Sequence, residues 1–199
     1  MAIIIGKELK RYSLQNGLIL GLILLSFNII SFYLITTVVK SPIGVIATPY
    51  VFSIILPIPF AILFCYLLRA SVGRIWDFRI ATSGIFIMFL ISYIVIALGR
   101  DVIFAHFVEP QMTTKIEKVL LDATPVALKK SGATDKQIAD KQKDIREQFA
   151  SQDNATVGQI IQSQVISTIF IFIISLIFGA LFKNPVGGVG YELVQDDEA

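Results

Sequence analysis

The apolar stretch IATSGIFIMFLISYIVIAL, residues 80–98, contains no charged residue and is long enough to cross a membrane as a helix. An α-helix rises about 1.5 Å per residue, so roughly 20 residues cross the ~30 Å hydrocarbon core of a bilayer. Residues 13–39, 51–68 and 157–182 form three further long apolar segments. The sequence therefore predicts an all-α polytopic transmembrane protein, with spans 1 to 4 at 13–39, 51–68, 80–98 and 157–182.

The composition agrees with a membrane protein and excludes several classes of function. Apolar residues make up 55% of the 199-residue chain and charged residues 16%, against about 25% charged in soluble domains. The net charge of +2 is too small to predict nucleic-acid binding, and no basic run accompanies it. With one cysteine and one histidine, and no catalytic or nucleotide-binding motif, we expect neither an enzyme nor a bound cofactor or metal.

The positive residues beside the spans predict an orientation. Cytoplasmic loops of membrane proteins are enriched in Lys and Arg near the span ends. The loop between spans 1 and 2 holds only Lys40, whereas the opposite side holds Lys7, Lys10, Arg11, Arg69, Arg74, Arg79 and Lys183. We therefore expect both termini to be cytoplasmic, including a flexible acidic tail over 184–199, and residues 109–156 to be extracytoplasmic.

The polar segment 109–156 is patterned as two amphipathic helices. Pro110 is typical of a first helical turn, and the apolar residues from Met112 to Ala123 recur on one helical face. Pro125 is expected to kink or end this helix. Thr134 and Gln137 form a capping box that starts a second helix, whose apolar face carries Ile138, Ile145 and Phe149. The pattern predicts a helical hairpin, with its apolar face on the bilayer, on the spans or on another protein.

Small and polar residues within the spans predict helix packing. Gly17 and Gly21 form a G-x-x-x-G pattern, and Ser175 with Gly179 forms a second pair of small residues at the same spacing. Both patterns allow two helices to approach closely. Asn28, in the middle of span 1, is expected to hydrogen-bond a neighbouring helix.

Two features have a structural and a functional interpretation. Pro57 and Pro59 remove backbone donors from span 2, which predicts a kink or an unwound turn, and broken helices also form transporter substrate sites. Arg100 and Asp101 are expected at the outer interface, where they would anchor span 3 or contribute to a binding site.

The order of these features resembles a known family. The carrying segments are Gly17–Gly21 in span 1, Phe78–Gly84 leading into span 3, Phe107–Pro110 opening the polar segment, and Phe182–Lys183 ending span 4. On these the chain resembles the bacterial membrane family catalogued as domain of unknown function 4199. The resemblance implies four spans, a periplasmic amphipathic insertion and a bacterial inner membrane, and it implies no activity.

The leading functional hypothesis is a non-enzymatic accessory or stabilising subunit of a larger membrane complex. It depends on the close-packing glycines and the amphipathic hairpin, and it makes the lipid bilayer and other membrane protein subunits the expected partners. The alternative is an oligomeric transporter or channel for a small molecule, supported by Pro57, Pro59, Arg100 and Asp101. An enzyme acting on lipid is a third hypothesis, for which Asp77 is the one carboxylate among the arginines between spans 2 and 3.

Overall fold

The computed structural model describes residues 2–72, 76–153 and 156–183, and these residues are helical almost throughout. The α-helices are α1 (Ala2–Tyr33), α2 (Pro42–Tyr50), α3 (Pro57–Val72), α4 (Phe78–Ala97), α5 (Met112–Lys130), α6 (Asp135–Asp153) and α7 (Val157–Phe182). Three π-helical segments adjoin them. Leu34–Val38 continues α1, Val51–Ile55 joins α2 to α3, and Leu98–Val108 continues α4. The predicted tail over 184–199 lies outside the described residues.

Four of the resulting helical segments are long and apolar enough to span a membrane, which confirms the prediction of an all-α chain with four spans. They run from Gly6 to Val38, Pro42 to Val72, Phe78 to Val108 and Gly158 to Phe182. The first three extend beyond the apolar segments used for the prediction. The ends of a helix are set by its caps and by prolines such as Pro42, which begins α2, and not by the thickness of the bilayer core. The helices therefore continue beyond the apolar segments.

The prolines of span 2 are accommodated by a π-helical stretch. Pro57 has no amide hydrogen, so the carbonyl four residues earlier loses its usual donor. The preceding stretch Val51–Ile55 is π-helical, so each backbone hydrogen bond connects residues five positions apart instead of four. The Leu56 amide, for example, donates to the Val51 carbonyl at 2.9 Å. Helix α3 then begins at Pro57 itself. The expected disruption therefore takes the form of a π-helix, and the backbone is not unwound.

Spans 1 and 3 pack on each other along most of their length and form the centre of the protein. Span 2 packs on span 1, and span 4 packs on span 3. One apolar cluster joins spans 1, 2 and 3 near the end that carries Trp76, and it includes the fully buried Leu68, Ile85 and Met88. Span 4 adds Phe178 and Phe182 to the edge of this cluster.

The polar segment between spans 3 and 4 forms the predicted pair of helices. Helix α5 packs on α2 and on the π-helical end of span 1, and α6 packs on α5. Met112 and the half-buried Ile116 of α5 contact Phe32 of span 1 and Phe104 of span 3. The turn between α5 and α6 contains Gly132, whose φ of +79° is a conformation that favours glycine. The α5–α6 hairpin is thereby anchored on its own spans.

Pro125 lies inside α5, and the helix continues through it to Lys130. Of the two outcomes expected at Pro125, a kink or the end of the helix, the end of the helix does not occur, and the contacts of the neighbouring helix give the reason. Proline deprives the Leu121 carbonyl of its α-helical donor. The Gln142 side chain of α6 supplies a replacement, because its Nε2 donates to the Leu121 carbonyl oxygen at 3.3 Å. The helix pairing therefore offsets part of the cost of the proline.

Candidate functional site

The glycines predicted to allow close packing lie where spans 1 and 3 meet. A Cβ atom built on Gly17 would lie 2.6 Å from the Met88 carbonyl oxygen, and one on Gly21 would lie 2.8 Å from the Val95 Cβ. This close approach also permits a hydrogen bond between the spans, because the buried Ser92 Oγ lies 2.9 Å from the Gly17 carbonyl oxygen; it lies equally 2.9 Å from the Met88 carbonyl oxygen of its own helix, so the two carbonyls share its single donor. The second pair acts in the same way. Gly179 lies against Thr82 of span 3, and Ser175 is fully buried.

Asn28 does not make the expected bond to a neighbouring helix. Its Nδ2 donates to the Leu24 carbonyl of its own helix at 2.9 Å. The polar contact between spans 1 and 3 comes instead from Ser92, which the sequence analysis did not single out. The Ser92 hydroxyl can donate to the Met88 carbonyl of its own helix as well as to Gly17, and its position opposite a G-x-x-x-G pattern is evident only from the packing of the two helices.

Arg100 and Asp101 lie in the π-helical end of span 3, on the protein surface. Arg100 Nε is 3.7 Å from Asp101 Oδ1, and both side chains are well exposed, at 43% and 65%. His106 Nδ1 lies 3.0 Å from the Asp101 carbonyl oxygen. An exposed ion pair of this kind contributes less than about 1 kcal/mol to stability. The exposed pair is compatible with both the anchoring and the binding-site interpretation, which stay predictions.

The three apolar residues predicted on one face of α6 differ in their exposure. Ile138 and Ile145 are buried in the hairpin, while Phe149 is half-buried. Ile138 and Ile145 therefore contribute to packing within this chain. Of the three, Phe149 keeps the largest exposed surface, so it is the one that a partner or the bilayer can still cover.

The half of span 4 that follows the hairpin is the least covered part of the four spans. Every residue from Gly158 to Ile166 is exposed, although this segment contains Gln159, Gln162, Ser163 and Gln164. Gln164 is tied to span 3, because the Tyr93 hydroxyl donates to its Oε1 at 2.6 Å. Residues two positions apart on a helix point in nearly opposite directions, so Gln162 points away from span 3.

The Gln162 side chain forms no hydrogen bond with any residue that the structure describes. Counting about 20 residues at about 1.5 Å from Phe182 places it near the boundary of the apolar core on the side of the hairpin. The polar character of this segment is not evident from its hydropathy, because the isoleucines between the polar residues dominate it. The signal that was available is the run of glutamines inside a predicted span.

A cleft of about 600 Å³ lies between the hairpin and α2, the first part of span 2. Helices α2 and α6 both pack on α5, and the cleft occupies the space between them. Its apolar wall is formed mainly by Ile46, Tyr50, Leu120, Leu128 and Ile145. Gln137, Lys141, Asp144 and Gln148 line it on the α6 side. Within the described ranges, no group of three or more His, Cys, Asp or Glu residues is placed to hold a metal ion.

Comparison with known proteins identifies a family and nothing more specific. No curated protein and no solved structure matches the chain. The sequence profile of the family described as "Protein of unknown function (DUF4199)" matches residues 15–184, which include most of span 1, the other three spans and the hairpin. The chain therefore belongs to this family, as its resemblance predicted.

Proposed function

We propose that the protein is a non-enzymatic subunit that binds and stabilises a larger complex in a bacterial inner membrane. The observation that carries this proposal is the uncovered, glutamine-rich half of span 4 that follows the hairpin. Apolar side chains that face outward are satisfied by lipid, but an amide gains a hydrogen bond only from another polar group. Gln162 offers such a group on the side of span 4 that faces away from the rest of the chain.

The burial of the four spans supports the same proposal. Only 11% of the apolar window of span 4 is buried inside the protein, against 28%, 17% and 33% for spans 1, 2 and 3. Span 4 is held on span 3 by the close contact of Gly179 with Thr82 and by the Tyr93–Gln164 bond. It therefore presents a helix with an exposed flank, which is the surface that a neighbouring transmembrane helix requires.

The proposed orientation places both termini in the cytoplasm and the hairpin in the periplasm. It is supported by the lysines and arginines beside the spans, among which Arg69 lies in the last turn of α3 and Lys183 follows α7. The uncovered part of span 4 then faces the periplasmic half of the bilayer, on the same side as Phe149.

The test compares two single substitutions in the same turn of span 4. The tagged protein is extracted from native membranes in mild detergent, and the protein mass of the particle is measured by light scattering. We expect a mass well above the 22.0 kDa of one chain. A hydrogen bond between transmembrane helices contributes about 0.6–1.7 kcal/mol. Gln162→Leu should therefore weaken partner retention about three- to twenty-fold, since about 1.4 kcal/mol corresponds to a factor of ten.

Ile161→Leu is the matched control, because it changes an equally exposed residue without removing an amide. It should retain the partner at the native level. Recovery of the native protein as a free monomer overturns the proposal, and so does equal retention by Gln162→Leu and the native chain.

The alternative of an oligomeric transporter or channel has weaker support. The prolines of span 2 are accommodated in a π-helix that leads directly into α3, so the backbone is not unwound as it is in the broken helices of transporters. Flux of small solutes into liposomes that contain the purified protein tests this alternative directly. Solute uptake above that of empty liposomes, lost in a folded Arg100→Ala variant, would favour transport.

A further inference from the structure

The cleft between the hairpin and span 2 is positioned at the boundary of the bilayer. Counting about 20 residues back from Leu68, the last residue before Arg69, reaches Pro49 and Tyr50, so α2 leaves the apolar core at this point. Tyr50 is 61% exposed, and tyrosine is enriched where transmembrane helices meet the lipid headgroups. The cleft therefore lies beside the headgroups of the outer leaflet.

The three helices around the cleft each contribute a stripe of residues one turn apart. Helix α2 supplies Ile46 and Tyr50, α5 supplies Leu120, Thr124 and Leu128, and α6 supplies Gln137, Lys141 and Ile145 with their neighbours. Thr124 and Ile145 are buried, whereas Lys141 and Asp144 are exposed. The cleft thus has an apolar interior and a polar opening. Its volume of about 600 Å³ falls within the usual range for small-molecule sites, about 300–1,000 Å³.

The opening carries one charge of each sign. Lys141 Nζ and Asp144 Oδ2 are 3.8 Å apart, and their side chains are 58% and 66% exposed. An exposed ion pair of this length is weak, so either group can exchange its partner for a charge on a ligand. A headgroup with both a phosphate and an ammonium group matches this pair, with the phosphate at Lys141 and the ammonium at Asp144.

We infer that the cleft binds one acyl chain of a zwitterionic phospholipid, with the phosphate and amine of the headgroup at Lys141 and Asp144. The apolar wall that Ile46, Leu120 and Leu128 form would be exposed to water at the level of the headgroups without such an occupant, and an acyl chain from the adjacent leaflet covers it. The lipid would then fix the separation between α2 and α6, which are joined through α5.

The test uses the full chain in vesicles of phosphatidylethanolamine and phosphatidylglycerol that contain a phosphatidylethanolamine with a photoactivatable acyl chain. After illumination, labelled peptides are mapped by mass spectrometry. We expect labelling at Ile46, Tyr50 and Ile145. Ala133→Trp places a bulky ring at the cleft wall and should abolish this labelling. Ala139→Trp adds the same ring on an exposed position of α6 that does not line the cleft, and it should leave the labelling unchanged.

Two charge-reversal substitutions test the same inference independently if the Ala133→Trp protein does not insert into membranes. Lys141 lines the cleft. Lys143 forms a similar exposed ion pair with Glu147, but it does not line the cleft. Lys141→Glu should reduce labelling of the cleft by phosphatidylethanolamine about two- to five-fold, the range that an exposed ion pair supports. Lys143→Glu should have no effect. Equal effects of the two reversals, or labelling that is confined to the lipid-facing sides of the four spans, overturn the inference.

Discussion

The contact between spans 1 and 3 at Gly17 allows a quantitative test of the packing. A Cβ atom at Gly17 would lie 2.6 Å from the Met88 carbonyl oxygen and 3.0 Å from the Ile91 Cβ. The first of these contacts is with backbone, so it is relieved only if the two helices move apart. That movement also lengthens the 2.9 Å hydrogen bond from Ser92 Oγ to the Gly17 carbonyl. Gly17→Ala is therefore expected to destabilise the protein.

The size of the effect follows from three contributions. Overpacking costs about 1–3 kcal/mol, and loss of the hydrogen bond between the helices costs about 0.6 kcal/mol. Alanine has a higher helix propensity than glycine, which offsets about 1 kcal/mol of this destabilisation. Gly6→Ala is the matched control in the same helix, because no atom lies within 4 Å of a Cβ placed there. The free energies of unfolding of the two variants should differ by about 2–4 kcal/mol.

The measurement is unfolding of the purified protein in mixed micelles with an increasing fraction of denaturing detergent. Trp76 is the single tryptophan and is fully buried in the cluster that joins spans 1, 2 and 3, so its fluorescence reports loss of packing. Both variants should remain inserted and helical before denaturation. If Gly17→Ala is as stable as Gly6→Ala, the two helices are not in close contact at Gly17 and the packing described above is refuted.

Three other predictions concern span 4, the orientation and the hairpin. Gly179→Ala should loosen span 4 from span 3 and increase proteolysis of the membrane-inserted protein, because a Cβ there meets Thr82. Gly158→Ala should not, because a Cβ there meets only the Thr156 Oγ1 at 3.9 Å, an ordinary van der Waals contact. In a Cys65→Ser background, Lys143→Cys should react with impermeant maleimide in intact spheroplasts and Val72→Cys should react only after lysis; the reverse pattern would invert the proposed orientation. Phe149→Ala should leave the protein folded and membrane-inserted, because Phe149 is only half-buried, and it should release a co-purifying partner if the hairpin is a docking surface. Degradation of Phe149→Ala would instead assign that side chain a structural role.

The sequence alone determined the features of this protein that depend on local properties. Long uncharged apolar segments predicted four spans, because crossing a bilayer requires length and hydropathy and no particular neighbour. The start of α6 after the cap residue Thr134 followed from a capping box, in which both partners lie within three residues of each other. The small-residue pairs in spans 1 and 4 were also recognisable from spacing alone.

Only the tertiary structure decided what those helices contact. It placed Gly17 and Gly21 against span 3, gave the hydrogen bond between the spans to Ser92 and kept the Asn28 amide within its own helix. It also let α5 continue past Pro125 by supplying a donor from α6. These outcomes depend on residues far apart in the chain, as the 75 positions between Gly17 and Ser92 illustrate. The spacing of side chains along one helix defines its faces, but the pairing of faces is selected by the mutual fit of helices that no local pattern encodes.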